Sequence, residues 1–598
     1  MGNKRIRHGI KMYMLLITSL LLCMSNNLYA DVSEYDFIVV GAGAGGGTLA
    51  ARLAEKNHSV LLLEAGPEKP SLFYKTPVAF SLASEDPFHA WAYYVEHYQN
   101  GSEPFLKDSK AMCYNDLLPV IKTRCNVQDN GDCTCPVFTS REGIFYPRGT
   151  GLGGSTANNA MINVLPKNSD WENIANITGD DSWKSVNMKQ YHDNMREWVN
   201  PKIALADNVY NSPDFHHGKK VKYQATAAYN TLFPVEDGQD DHDLEGVIDD
   251  LDQRNTAVEP APKDLNKITL DANPADGTPS AMVQIPLGVS KGDGYRTGTR
   301  ERILAASCKE DVLRPDGLSD EERILACKES GRWNEQTDKP YLTVQTDSLA
   351  TRVIFTTEPS SSAVKRVIGV EYLEGGLLYK ANILAANNPE PPLNSVYANK
   401  EVILSAGAFN SPQLLMQSGI GDINLFKRSD IKVPHQRALP GVGKNLQEHY
   451  EMGIAIQTPE NNQWAKDCLS LNLFKTLSFS CLGSLLNLEN GNMDDTFAAT
   501  NASIGSYLVR SFDEDESLGI TPYTENGEPD IHAFGIPSKF TGYFNGYSLP
   551  AFEPNKFTWL TLKGHTKHRG GTVTLKTDNP LDYPSINFNF YEDGDKNT

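Results

Sequence analysis

The sequence predicts an α/β protein: a Rossmann-like domain, then a second α+β domain built on an antiparallel sheet. Three observations carry this. A strand, a glycine loop, a helix and a second strand ending in an acid run from Tyr35 to Glu64. A second glycine-dense loop, Arg148 to Ile162, and a strand–glycine–helix stretch, Glu401 to Gly421, continue the same grammar. After Glu460 the texture turns to strands alternating with period two.

Phe37 to Val40 is a short apolar, β-branched run that reads as a strand buried on both faces. It enters Gly41-Ala-Gly43-Ala44-Gly45-Gly46, where Gly41, Gly43 and Gly46 hold the G-x-G-x-x-G spacing. Those three glycines allow a tight turn, the approach of a pyrophosphate to the backbone, and close packing of the next helix. The pattern predicts that helix over Thr48 to Lys56, with Ala50, Ala51, Leu53 and Ala54 to pack and its N-terminus aimed at phosphate. Asn57 suits the left-handed exit. Val60 to Leu63 is the second strand, closed by Glu64 and Ala65. A carboxylate there, about 20 residues beyond the glycines, accepts hydrogen bonds from ribose hydroxyls and disfavours a 2′-phosphate. The unit therefore points to FAD or NAD, not NADP, and does not separate the first two.

The chain has 598 residues, enough for two domains, and a net charge of −20 that repels nucleic acid. Residues 1–30 read as a signal peptide: Lys4, Arg5, Arg7 and Lys11 precede an apolar run, Met12 to Met24, too short for a membrane span. The expected location is secreted or periplasmic, with no transmembrane span in the mature chain; a retained anchor is the alternative. Eight cysteines remain beyond the leader. Cys308 with Cys327, and Cys468 with Cys481, read as locally closed loops. The cluster Cys113, Cys125, Cys133 and Cys135 suits disulfides, with zinc as the weaker reading because its spacing fits no familiar zinc pattern. Asn57, Asn100, Asn176 and Asn501 begin glycosylation sequons, which matter only in a host that glycosylates.

Pro67 to Glu142 is polar and aromatic-rich without a sustained period, an excursion from the nucleotide domain. In the second glycine loop, Ser155 and Thr156 open an expected helix that offers a second phosphate contact or a flavin edge. Further on, Glu401 to Ser405 reads as a buried strand, Ser411-Pro412 as a helix start, and Gly419 to Gly421 as its end.

Arg148 to Met161, Gly407-Ala-Phe-Asn-Ser-Pro-Gln-Leu-Leu-Met-Gln-Ser-Gly-Ile-Gly421 and Leu439-Pro-Gly-Val-Gly-Lys-Asn-Leu-Gln-Glu-His449 follow one another in a recognisable order. With the first unit, they resemble the glucose–methanol–choline (GMC) family of flavoprotein oxidoreductases. Thr150 stands where the family has a basic residue, Asn158 where it has an aliphatic one, and Glu448 where it has Asp. The resemblance implies FAD rather than NAD, an FAD-binding domain over 31–455 and a substrate domain over 456–598. It implies that Gly151 and the Asn159-Ala160-Met161-Ile162 turn lie along the isoalloxazine, and that Arg148, Gly153, Gly154 and Ser155 of the same loop also bind the cofactor. Ala350 would give backbone contacts to adenine, and Ala406 and Gly407 would pass close to the cofactor. The implied chemistry is oxidation of an alcohol or sugar, with hydride passing to flavin N5. The electron acceptor, whether oxygen, a quinone or a protein, is left open.

Residues 190–293 are the most acidic and least family-like, as in a substrate-domain insertion. Within them Asp241 to Asp252 has the ligand spacing of a calcium loop around Gly246, but its last ligand is Asp and its flanks are not helical, so an acidic solvated loop is the stronger reading. Lys556 to Lys563, Gly571 to Lys576 and Ser585 to Phe590 are expected strands of a sheet roofing the flavin. The family's catalytic His would follow Thr598, and none of the 13 histidines sits in a matching motif. His449 reads as structural, and His565 and His568 as solvent-facing, so no catalytic residue and no metal ligand is named. The expectation is that this polypeptide as written holds FAD weakly and does not turn over alcohols. A non-catalytic flavin-binding or scaffold protein of the same fold is the alternative.

Overall fold

The computed structural model describes residues 35–115, 122–136, 139–162, 166–196, 281–283, 296–310, 312, 317–356, 365–385, 391–457, 504–509, 531–536, 539–548, 556–564 and 568–590. The leader, Asp241 to Asp252, Cys468, Cys481, Asn501 and His565 lie outside these.

The first unit folds as strand β1 (Tyr35–Val40), helix α1 (Ala44–Ala54) and strand β2 (Val60–Leu63). β1 runs parallel to β2, and Val60 to Leu63 are fully buried. Helix α2 (Thr299–Ala306) packs on α1. The sheet is completed by β3 (Leu342–Gln345), β4 (Ser348–Phe355), β5 (Val367–Glu374) and β6 (Leu393–Leu404), in the order β3-β2-β1-β6-β5-β4. β3, β2, β1 and β6 are parallel; β5 and β4 extend the sheet as antiparallel neighbours. Helix α3 (Gly407–Gln417) follows β6.

Three boundaries differ from expectation. α1 begins at Ala44, four residues before Thr48, and α3 at Gly407, four before Ser411. Glycine's helix penalty is only about 1 kcal/mol, and here the absent side chains let neighbours approach: a Cβ on Gly47 would come within 2.6 Å of Thr299 and Ile303. α3 runs through Pro412, giving up one ladder bond there. β6 starts at Leu393, because its first half turns to pair with β5, and Val402 to Leu404 are half-buried rather than buried. Asn57 does exit left-handed, at φ 63°.

The excursion after Pro67 forms an antiparallel four-stranded sheet, ordered Ala90–Val95, Thr139–Gly149, Ala111–Asn115, Lys122–Arg124. Its regularity escaped the sequence because Cys, Gly and Pro interrupt the alternation. Disulfides Cys113–Cys135 and Cys125–Cys133 close it, so the cluster pairs with itself; Cys308–Cys327 is bridged as expected. A second antiparallel sheet has the order Glu451–Gln457, Lys556–Lys563, Ile531–Ile536, Ile504–Val509, Ala281–Val283. Of the three expected roof strands only Lys556–Lys563 joins it. Thr572–Thr574 and Ser585–Asn587 pair with each other instead. Val573, Leu575, Ile586 and Phe588 are buried with Tyr93, Phe409 and Met416, which draws the pair into the nucleotide domain's core. His568 lies there too: it is buried, with Nε2 3.1 Å from Phe588 O, and does not face solvent. Among the described residues no helix is long and apolar enough to cross a membrane.

Candidate functional site

The first glycine loop is shaped by backbone contacts. Gly41 (φ 101°) turns so tightly under β6 that a Cβ on it would sit 2.5 Å from Ser405 O. Gly46 sits over Gly41 O at a distance of 2.0 Å for its missing Cβ. By contrast, a Cβ on Gly43 or Gly45 would meet nothing within 4 Å. Those two positions border open space at the start of α1, whose first-turn N–H groups have no carbonyl within the helix to bond.

Glu64 joins this loop to the second. Its Oε2 accepts from Ala42 N–H (2.8 Å), and its Oε1 from Gly66 N–H (2.9 Å) and Gly151 N–H (3.0 Å). Thr150 Oγ1 donates to the same Oε1 at 3.4 Å. Burial raises the Glu64 carboxyl above its ordinary range, against the opposing pull of these hydrogen bonds. Thr150, where a basic residue is usual, is buried, and its hydroxyl would lie 2.1 Å from a Cβ on Gly66; a long cation has no room there. The loops also touch directly. Gly153 N–H donates to Ala42 O (2.9 Å), and a Cβ on Gly154 would come 2.9 Å from Gly43 Cα. The expected helix at Ser155 is one short 3-10 turn, Gly154–Ala157.

A cavity of about 500 Å³ opens between the loops. Of the expected site residues, Gly41, Gly43, Ala44, Gly45, Glu64, Ala65, Arg148, Gly154, Ser155, Asn159, Ala350, Ala406 and Gly407 line it. Gly46, Gly151 and Gly153 lie behind the wall and shape it. Ala160, Met161 and Ile162 are not on the wall: Met161 (φ 59°) is buried against Phe534 and Leu560 of the second antiparallel sheet, with Ile162 beside it.

Sequence reasoning missed an aromatic wall formed by Trp91, Tyr93, Tyr379 and Phe409. Trp91 meets Tyr379 edge-on at 5.2 Å, and Tyr93 meets Phe409 at 5.3 Å. Tyr93 donates to Asn410 Oδ1 (2.6 Å), Asn410 Nδ2 to Tyr379 Oη (2.6 Å), and Tyr379 to Gln413 Oε1 (2.7 Å). Burial pushes both phenols above their ordinary range, so they stay protonated donors. The continuous apolar and aromatic run Ala90 to Val95 was the one available signal. Arg148 adds a cation, its guanidinium 5.9 Å from the centroid of Phe409. The wall thus combines a helix N-terminus, a cation, a buried carboxylate and aromatic faces, a donor set suited to a dinucleotide. His449 is exposed, on a segment that does not line the cavity.

Two family models match the chain: an NAD(P)-binding Rossmann-like domain over residues 39–71 and a GMC oxidoreductase over residues 330–451. The oxygen-dependent choline dehydrogenase of Klebsiella pneumoniae subsp. pneumoniae is 26% identical over 431 residues, 71% of this chain and 56% of that protein. That of Pseudomonas fluorescens is 26% identical over 564 residues, 93% of this chain and 73% of it. The chain thus spans little more than half the length of the first relative. A formate oxidase from Aspergillus oryzae RIB40 shares the fold, with a TM-score of 0.53 and 16% identity, over 94% of this chain and 78% of that one.

Proposed function

This chain belongs to the GMC oxidoreductase superfamily, and on that premise we propose that it is an FAD-dependent oxidoreductase of the CH–OH group of an alcohol or sugar. The product would be an aldehyde, ketone or lactone. The observation that carries the reading is the single cavity walled jointly by both glycine loops, Glu64, Ala350 and Ala406–Gly407. FAD, when bound, supplies a flavin N5 that accepts hydride.

The chain's own residues do the holding. The start of α1 and Arg148 meet the pyrophosphate's charge, and the bare faces of Gly43 and Gly45 admit it. Glu64 Oε2, with one protein donor, keeps acceptor capacity for a ribose hydroxyl. Ala350, on β4, and Ala406, at the start of α3, offer backbone to the rest. Met161, seated on Phe534 and Leu560, joins the loop to the antiparallel sheet under which a substrate would be shielded from water. Three disulfides and the basic-then-apolar leader support a secreted or periplasmic location.

Fluorescence titration tests the cofactor: FAD should bind one to one, while NADP should not compete. Absence of FAD binding by folded protein, or displacement of FAD by NADP, contradicts the reading. Anaerobic addition of a panel of primary alcohols and sugars then tests turnover: an unbleached flavin is the outcome the sequence leads one to expect, and bleaching contradicts that expectation and identifies the substrate class.

A further inference from the structure

We propose that Arg296 is a positioning residue of this site, its guanidinium tying the second glycine loop to a helix seated on the first. The proposal rests on the cofactor reading above. Arg296 stands just before α2, and the start of that helix is firmly placed. Gly298 N–H donates to Glu301 Oε2 (2.8 Å), and the Tyr74 hydroxyl donates to the Glu301 carboxylate (2.9 Å). Arg296 N–H donates to Lys75 O at 3.3 Å. α2 itself lies on Gly47 of α1, through Thr299 and Ile303.

From that frame the fully buried Arg296 reaches about 140 residues back along the chain. Nη1 donates to Thr156 O (3.0 Å) and Asn159 Oδ1 (2.8 Å), and Nη2 donates to Asn159 O (2.7 Å). Its guanidinium carbon lies 5.8 Å from the Tyr74 ring centroid. Thr156 and Asn159 both line the cavity, while Arg296 does not. Asn159 Oδ1 also accepts Met161 N–H (3.1 Å), so the same amide oxygen sets the turn that delivers Met161 to the antiparallel sheet. A planar fork serves three acceptors in fixed directions, which a lysine ammonium does not. Arg296 therefore acts on the cofactor through the loop, by setting where Thr156 and Asn159 stand.

Arg296→Lys keeps the charge and removes the fork. The expected result is a loss of FAD affinity of about tenfold and an altered visible circular dichroism of the bound flavin, which a purely structural role would leave unmoved. Asn159→Ala, which keeps every side chain at the start of α2, should also weaken FAD. The double variant should lose no more than the worse single one, because both remove one constraint. Wild-type FAD affinity and dichroism in folded Arg296→Lys would overturn the proposal. So would additive losses in the cycle, or unchanged FAD affinity in Asn159→Ala should Arg296→Lys not fold. A wild-type protein that binds no FAD overturns the cofactor reading and this proposal with it, which separates the two failures.

Discussion

The first glycine loop, Gly41 to Gly46, is shaped mainly by close backbone contacts, with one side-chain hydrogen bond, Ala42 N–H to Glu64, whereas the second, Gly149 to Asn159, is tied by the side chains of both Glu64 and Arg296. In the first, Gly46 rests on Gly41 O and Gly41 on Ser405, contacts that only the absence of side chains permits. In the second, Gly151 hangs from Glu64 and Asn159 from Arg296, across 87 and 137 residues. A loop built from close backbone contacts tolerates no bulk at the contacting positions, Gly41 and Gly46. A loop built from distant hydrogen bonds tolerates change in itself and fails when a remote residue changes.

That contrast can be broken most severely at Gly46. Valine there drives a methine carbon into Gly41 O, and the expected cost of about 3 kcal/mol or more should leave little folded protein, read as loss of the cooperative melt. Glu64→Gln should act more gently. The amide can keep an oxygen for Gly66 and Gly151 but then presents NH2 to Ala42 N–H, leaving two donors facing each other. We expect a loss of about 1–2 kcal/mol by chemical denaturation and a weaker FAD complex by fluorescence titration. The smallest effect belongs to Asn57→Ala, at the left-handed exit of α1. It should cost about 1 kcal/mol and leave FAD affinity unchanged, because the strain sits at the helix end away from the cavity.

The same contrast explains what the sequence made legible. The unit β1–α1–β2, with Glu64 at its end and Asn57 at its corner, is written in adjacent residues whose spacing dictates contacts. The second loop was visible as a dense run of glycines, but nothing near it in the chain announces Arg296 or Tyr74. The helix starts at Ala44 and Gly407 are read late because glycine reads as a helix breaker; in the fold Gly47 lets α2 approach α1, while Gly407 borders open space and supplies a positive φ of 89°. Trp91 and Tyr93 come from an excursion without a sustained period, Tyr379 from the loop after β5, and the hydrogen-bonded chain of Tyr93 and Tyr379 through Asn410 exists only once α3 is docked. Val573 and Ile586 alternate as well as Phe557 does, yet they belong to a different core. Period two specifies a strand and one buried face; it does not say which sheet will cover that face.

If the proposed function is right, the pyrophosphate of FAD sits in the open space at Gly43. Gly43→Val tests it most directly, because the new side chain meets no protein atom within 4 Å of its Cβ and the residue's φ of −72° suits valine. The measurement is FAD affinity beside melting temperature for wild type and variant. The expected result is an unchanged apo-protein melt and an affinity lowered by about a hundredfold, some 2.7 kcal/mol. A folded Gly43→Val protein that binds FAD as tightly as wild type would contradict it.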